Sequence, residues 1–361
     1  MSDSSEAAKY AKAYFAPMMK HGTAHYIQNV DAEISLLQMG EKYIPFVIPK
    51  FGSQCYVCSP YDHYIRYATY ELRHLKPFWI RWIFHVVVAA LGQLLKRCHF
   101  NDVVYVNNWL LSTNLYPKLS KEEILHANRI LKQRYPRRMI VYRSLNEATN
   151  QQLLNDLLGC GGKKMAGRQV YMTDPKDGSY QKKKAYKIDQ TFLKKSNLSI
   201  RGATPADAPA IKKCYDDLYL SRYSPLNPQF SEDFFRNAIE NQLFQFQLFS
   251  EQNQIVAALG YFCREQVMTT PIFGYDTLRP QELGLYRLLS SLLMGISEKN
   301  GHVLHQSSGA AHFKSQRGAS PYIEYNVYFD DGVLWRQRVS WWGLSWILNS
   351  VGVFLLRRLK L

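Results

Sequence analysis

Leu198–Ile211, LSIRGATPADAPAI, is the stretch on which the fold of this chain turns. Leu198–Arg201 reads as a short strand, and Gly202 and Ala203 leave it. Thr204 then stands at an N-cap position with Pro205 at the first helical position, where a missing N–H costs nothing and the fixed φ suits a helix. A strand that feeds at once into a capped helix opens an α/β unit. Downstream, a helix is expected from Ser231, followed by strands over Phe244–Phe249, Gln254–Phe262 and Gln266–Phe273, the first two joined by a turn at Glu251–Asn253. A helix over Leu283–Lys299 stops at Asn300-Gly301, and strands Val303–Gln306 and Tyr322–Phe329 complete the unit.

The preceding residues alternate in the same way. Strands are expected at Asp102–Val106, Met139–Tyr142 and Gln169–Met172. A helix from Lys121 is capped by Ser120 with Glu123 three residues on, and a second runs from Glu147 to Leu158 before Gly159. The fold class is therefore α/β, with a mixed sheet. Residues 1–196 form one unit, 197–331 a second, and 332–361 an aromatic, aliphatic tail with basic residues at both ends.

The chain has 361 residues, 47% of them apolar, which suits two folded domains, and its formal net charge is +16. Such a charge points to anionic partners: nucleic acid, an anionic membrane, an acidic carrier protein or a phosphorylated cofactor. No recognition-helix or zinc pattern accompanies it, so DNA is not expected as a partner. Cys55 and Cys58 form the one C-x-x-C, without a second ligand pair, and the six cysteines read as packed thiols; no metal is expected. The first fifteen residues are polar and acidic where a secretory signal would be basic then apolar, so a cytoplasmic location is expected, peripheral on the inner membrane if the tail binds lipid. The apolar run Phe78–Leu95 is interrupted by Arg81, His85 and Gln93 and reads as a buried or membrane-surface helix rather than a span. The tail reads equally as an amphipathic helix on anionic lipid or as a helix packed on its own domain.

The opening at Arg201–Ile211, and the order of elements after it, resembles a GNAT acyltransferase domain. Phe313-Lys314, then Arg317-Gly318-Ala319, Pro321 and Glu324-Tyr325, is similar to the signature that closes the second domain of FemAB-like proteins, in which two GNAT-like domains stand in tandem. The resemblance implies acyl transfer to an amine. It also implies that Gln281, Gly284, Leu285, Tyr286 and Arg287 occupy the place where GNAT enzymes bind the coenzyme A pyrophosphate at a helix start. Tyr286 replaces the last small residue of that loop, which leaves acyl-CoA, an acyl carrier protein thioester and aminoacyl-tRNA as alternative donors. In the same resemblance Lys314 faces the reacting acyl group.

The remaining candidates come from residue type and place. Asp276, at a strand end, is a carboxylate for amine binding or base work, and its neighbour Tyr275 could protonate a leaving group. His312 is a candidate base, and so is Glu324 if burial raises its pKa. Arg317 stands three residues after Lys314, on the same helical face. Asn107, Asn108, Trp109, Ser112 and Asn114 form an amide-rich run that could line a substrate groove, as could Arg143. The leading expectation is an N-acyltransferase that moves an acyl group from a thioester donor to an amine, such as that of a sphingoid base or aminolipid, at a membrane surface. The alternatives are an aminoacyl-tRNA-dependent transferase acting on a cell-wall precursor and a non-catalytic binding protein on the same core.

Overall fold

The structure, a computed structural model, describes residues 3–39, 42–50, 52–74 and 77–359. Met1, Ser2 and the last two residues of the expected tail, Lys360 and Leu361, lie outside them. The strands are β1 (Ala32–Met39), β2 (Lys42–Pro49), β3 (Val103–Val106), β4 (Met139–Asn146), β5 (Lys163–Thr173), β6 (Ser199–Arg201), β7 (Gln245–Glu251), β8 (Gln254–Arg264), β9 (Val267–Tyr275), β10 (Val303–His305) and β11 (Ser320–Phe329). All belong to one mixed sheet, in the order β1-β2-β3-β4-β11-β5-β10-β9-β8-β7-β6.

That order is nearly the same arrangement twice. On each side an antiparallel run ends in a parallel pair, β3 with β4 and β9 with β10. The strand that follows each pair crosses over. β11, from the second half of the chain, pairs antiparallel with β4 of the first half, and β5, from the first, pairs antiparallel with β10 of the second. The two exchanged strands then pair with each other over Ser320–Tyr328, the most extensive seam in the molecule.

Period-2 alternation distributes the core. Val103, Tyr105, Met139 and Val141 face a cluster that runs under both halves, joined by Ile211, Phe234, Leu248 and Trp341. Val104, Val106, Ile140 and Tyr142 face helices Lys121–Arg134 and Gln151–Gly159. On the second half the same side of the sheet is covered by helix Leu285–Asn300 through Leu285, Leu288, Leu289 and Leu293.

The expected caps are present. Ser120 accepts from the Glu123 amide while Glu123 accepts from the Ser120 amide. Thr204 and Asp207 form a capping box that begins as a 3-10 turn before helix Ala208–Tyr215. The helix expected from Glu147 starts at Gln151, because Asn146 Oδ1 accepts from the Ala148 and Thr149 amides and holds those residues in a turn.

Phe78–Arg97 is a helix, but not a buried one: only Gly92 and Leu95 are fully covered. The tail, Trp335–Ile347 continued by Leu348–Gly352 and Val353–Leu359, packs one face on the protein, as the second of its two readings has it, and exposes the other.

Gly318, of the Arg317-Gly318-Ala319 motif, lets the chain after helix Ala311–Gln316 pass close against the 3-10 turn Ser179–Lys182. Its φ is 87°, and a Cβ there would lie 2.5 Å from the Tyr180 Cβ. Gly318→Ala therefore combines left-handed strain with a clash against buried Tyr180. A loss of about 2–4 kcal/mol is expected, read from urea unfolding midpoints.

Candidate active site

β10 is only three residues long. It pairs with β9 as far as His305 opposite Thr269, while β9 continues to Tyr275 against β8. The sheet therefore opens between β9 and the segment after β10. That segment turns away through three left-handed residues, Ser307 (φ 56°), Gly309 (φ 78°) and Ala310 (φ 49°), before helix Ala311–Gln316. Two non-glycine residues in that region mark stored strain of the kind that collects at functional sites.

Lys314 holds this loop. Its side chain is buried, and Nζ donates to the carbonyls of Gln306 at 2.6 Å and Ser308 at 2.8 Å, with Ser307 O at 3.4 Å. No carboxylate among the described residues pairs with it. Burial, and then the nearby Arg168 charge, pull its pKa down from 10.5 to about 7.

Arg168 and Glu324 lie opposite each other on β5 and β11, where the seam has a bulge. Arg168 Nε and Nη2 donate to the two Glu324 oxygens at 2.9 and 3.2 Å; Nη2 also reaches Ser112 O at 2.6 Å, and Nη1 is 3.5 Å from Ser308 Oγ. Glu324 is thus buried, as one expectation required, but it is bound in a two-pronged ion pair and is not a lone carboxyl group. His305 is fully buried 3.8 Å from Glu324; its Nδ1 accepts from the Ser307 amide, and its Nε2 has no hydrogen-bond partner. Burial pushes the His305 pKa down to about 4; Glu324 works against this, and Arg168 and Lys314 with it.

Around this centre stand tyrosines from both halves. Two π-helical segments, Asp62–Arg66 and Asp216–Tyr223, bring His63, Tyr64, Tyr219 and Tyr223 to it. Tyr56 packs 5.4 Å from Tyr67, and Tyr275 lies 6.4 Å from Tyr286 between ring centroids. Burial raises the phenol pKa of Tyr56, Tyr67, Tyr219 and Tyr286, so these hydroxyls remain donors. His63 is driven down to about 3 by burial, then by Arg143 and Arg168.

The structure sorts the other sequence candidates. Tyr275 lines the opening, with its hydroxyl 3.4 Å from Arg222. Asp276 is drawn into ion pairs with Arg279 at 3.4 Å and Lys213 at 3.9 Å, and it accepts from the Leu278 amide; it is a turn carboxylate, away from Lys314's contacts. His312 is exposed. Arg317 does not share Lys314's surroundings: it stacks over Phe313 and donates to Asp189.

The amide run is a correction, because it lines no groove. Asn107, Asn108 and Asn114 are fully buried and spend their side chains on Leu115 O, Val57 O, the Leu110 and Trp109 amides and Ser144 Oγ; Asn107 also accepts from the Trp109 indole. Their work is to hold Ser112 O and Thr113 Oγ1 against Arg168. Arg143 is likewise buried; it donates to Val57 O and stacks on Tyr105.

The place of a coenzyme A pyrophosphate can be tested in the same way, and it does not fit in the usual pose. Asp189, buried on helix Lys184–Lys194, accepts from Arg287 at 2.9 and 2.7 Å and from Arg317 at 2.5 Å. A Cβ on Gly284 would lie 2.7 Å from Phe192 of that helix. Leu285 is buried, Tyr286 is wedged against Phe273 and Phe313, and Gln281 is exposed before the helix. At the helix start that the resemblance makes the pyrophosphate place, Arg287 is already paired with an anion of the chain's own, Asp189. Among the described residues no cluster of His, Cys, Asp and Glu could hold a metal ion.

No protein-family model matches the sequence, and no curated protein matches it. Among solved structures, FemX aligns over 96% of this chain and 99% of its own, at 7% identity with a TM-score of 0.53. The fold is therefore that of FemX, two GNAT-like halves in tandem. L-PGS from Bacillus licheniformis (13% identity, 68% of this chain and 83% of that one, TM-score 0.44) and a GCN5-related N-acetyltransferase from Kribbella flavida (14%, 63% and 81%, TM-score 0.34) are more distant, and nothing below rests on them.

Arg168, His305, Asp189 and the tyrosines at positions 56, 64, 67, 219 and 223 were not singled out from the sequence. Arg168 had one signal: a charge set inside a strand pattern, Gly167–Met172, next to a glycine.

Two outcomes follow. Asp189→Asn should release Arg287 and Arg317 and raise affinity for inorganic pyrophosphate at least about tenfold over wild type in titration calorimetry, as a freed arginine pair should. Tight coenzyme A binding by the wild type would show that Asp189 gives way. His305, neutral when folded with a pKa near 4 against about 6.5 unfolded, contributes stability that is full above pH 6.5 and lost as pH falls through 4. Between pH 6.5 and 4.5 this amounts to about 2–3 kcal/mol, and His305→Gln should lack that share of the acid loss in urea titrations.

Proposed function

We propose that this chain is an acyltransferase that forms an amide, taking its acyl group from a polyanionic macromolecular carrier and not from coenzyme A in the GNAT pose. The carrying observation is Lys314: a buried cation with no counter-ion among the described residues, whose ammonium holds the strained loop at the mouth of the split between β9 and β10. An acceptor amine attacks the acyl carbonyl carbon and the carbonyl oxygen gains negative charge. The new C–N bond then displaces the carrier's oxygen or sulfur, which departs with the proton lost by the amine. An ammonium group has three N–H bonds. Two of Lys314's are taken by Gln306 O and Ser308 O, and the third, held only by the long 3.4 Å contact to Ser307 O, is the one a developing oxyanion would take over. The buried phenols of Tyr56 and Tyr67, kept protonated, are donors suited to the leaving atom.

The donor reading rests on the Asp189 plug and on the net charge of +16, which favours a carrier rich in phosphate or carboxylate. Acyl carrier protein and aminoacyl-tRNA both have that chemistry. Parallel assays with acyl-CoA, acyl carrier protein thioester and aminoacyl-tRNA separate them. Steep salt dependence of binding marks the RNA arm, and turnover with acyl-CoA at the rate of either carrier overturns the reading.

Lys314→Met is expected to lower turnover by about 10²–10³ with the fold intact, the size of losing one oxyanion donor. Because Lys314 acts as a cation and loses its proton near pH 7, kcat/KM should fall as pH rises through about 7. Lys314→Arg, a permanent cation, should lack that alkaline limb even where its rate is reduced.

A further inference from the structure

Two helices of this chain expose what a soluble surface hides. Phe78–Arg97 is attached through its last turns alone. Gly92 lies flush against Tyr61 and Ile65, Leu95 is buried, and Phe78, Trp79, Trp82, Ile83, Phe84, Val86 and Val87 stand exposed. The tail helix is docked along one face. Gln337 donates to Asp102 O, the Trp341 indole to Phe100 O at 3.2 Å, Ser345 to Lys164 O at 2.9 Å, and Asn349 to Lys164 O at 2.7 Å. Its other face presents Trp335, Val339, Trp342, Trp346, Val351 and Phe354 to solvent.

The two helices adjoin. Phe100, three residues beyond the end of the first, stacks on Trp341 of the second with ring centroids 4.7 Å apart. Together they carry five of the chain's seven tryptophans on their exposed surface, each 60–69% exposed. An apolar patch on this scale marks an interaction surface.

The chemistry selects the partner. Neither helix contains an Asp or Glu, whereas Arg81, Lys96, Arg97, Arg336, Arg338, Arg357 and Arg358 flank the apolar residues. Exposed tryptophan with flanking Arg and Lys, and no acid, is the composition of a helix lying at the boundary of an anionic bilayer. A second copy of the chain would set these like charges against one another. Both helices are long and apolar enough to cross a bilayer, but the tail's hydrogen bonds to the 100–102 loop and to β5, spread over Gln337–Asn349, hold it along the protein, which favours a surface position over a span.

We infer that helices Phe78–Arg97 and Trp335–Leu359 form a single docking surface that embeds in one leaflet of an anionic phospholipid bilayer. The inference is independent of the acyl-transfer reading, since it concerns adsorption and not turnover. If both hold, the acceptor amine belongs to a lipid.

The test uses the full chain and vesicles of phosphatidylcholine with or without about one-third phosphatidylglycerol, the anionic share that a basic surface should require. Co-sedimentation with the anionic vesicles alone is expected, with a blue shift of tryptophan emission and release by alkaline carbonate. The quadruple variant Trp79→Gln, Trp82→Gln, Trp342→Gln, Trp346→Gln keeps the docked Trp341. It should lose affinity at least about tenfold, as expected when the apolar anchor goes, with an unchanged urea midpoint. Arg336→Glu with Arg357→Glu and Arg358→Glu should abolish the preference for phosphatidylglycerol. Three results would overturn the inference: failure of the wild type to bind either vesicle, resistance to carbonate extraction, or a stable solution dimer that shields the tryptophans from quenchers.

Discussion

Arg168 and Glu324 meet at the one place where the two halves of the chain cannot be told apart. Arg168 sits on β5 and Glu324 on β11, the strands that the halves exchange, and the pair bridges the seam between them. A buried ion pair is seldom a source of net stability, because desolvation offsets the attraction, but breaking one is costly. Here the pair sets register: a slip of one residue would put the two charges on opposite faces of the sheet. Through Ser112 O and Ser308 Oγ the same guanidinium reaches the loops after β3 and β10, so one side chain ties the seam to both halves' functional loops.

Much of the fold is local and therefore legible. The caps at Ser120 and Thr204, the apolar alternation of Val103–Val106 and Met139–Tyr142, and the Gly301 stop after the long helix all act within a few residues. Lys314 and Glu324 could be named because the Phe313–Tyr325 motif carries them. The exchange of β5 and β11 could not, because pairing Arg168 with Glu324 joins positions 156 apart in the chain, and no periodicity records it. The π-helical segments escaped for the same reason, since an extra residue per turn at Asp62–Arg66 answers to packing.

The two misreadings share a cause. Asn107–Asn114 was read as a groove because polar residues suggest contact with a ligand, yet a buried loop needs those amides to satisfy its own backbone. Gln281–Arg287 was read as a phosphate cradle because a helix start attracts anions. The anion that came is Asp189, from helix Lys184–Lys194. In both cases the chain itself is the ligand, and only long-range structure shows it.

That occupied cradle and the exposed helices bear on each other through β5. β10 pairs only with Met172 and Thr173, so the early part of β5 has an edge without a strand beside it. The tail covers it: Asn349 accepts from the Ala166 amide and, with Ser345, donates to Lys164 O. An open edge is an aggregation liability, and a helix laid across it removes the hazard. The cover is also an address. Two residues beyond Ala166 lies Arg168, so the strand that holds the tail holds the guanidinium of the active centre. On the proposed docking, a bilayer at the tail's outer face is separated from β5 by the tail. On the two proposals together, the acceptor amine belongs to the bilayer, and a bulky polyanionic carrier approaches from the water, drawn by the chain's net positive charge.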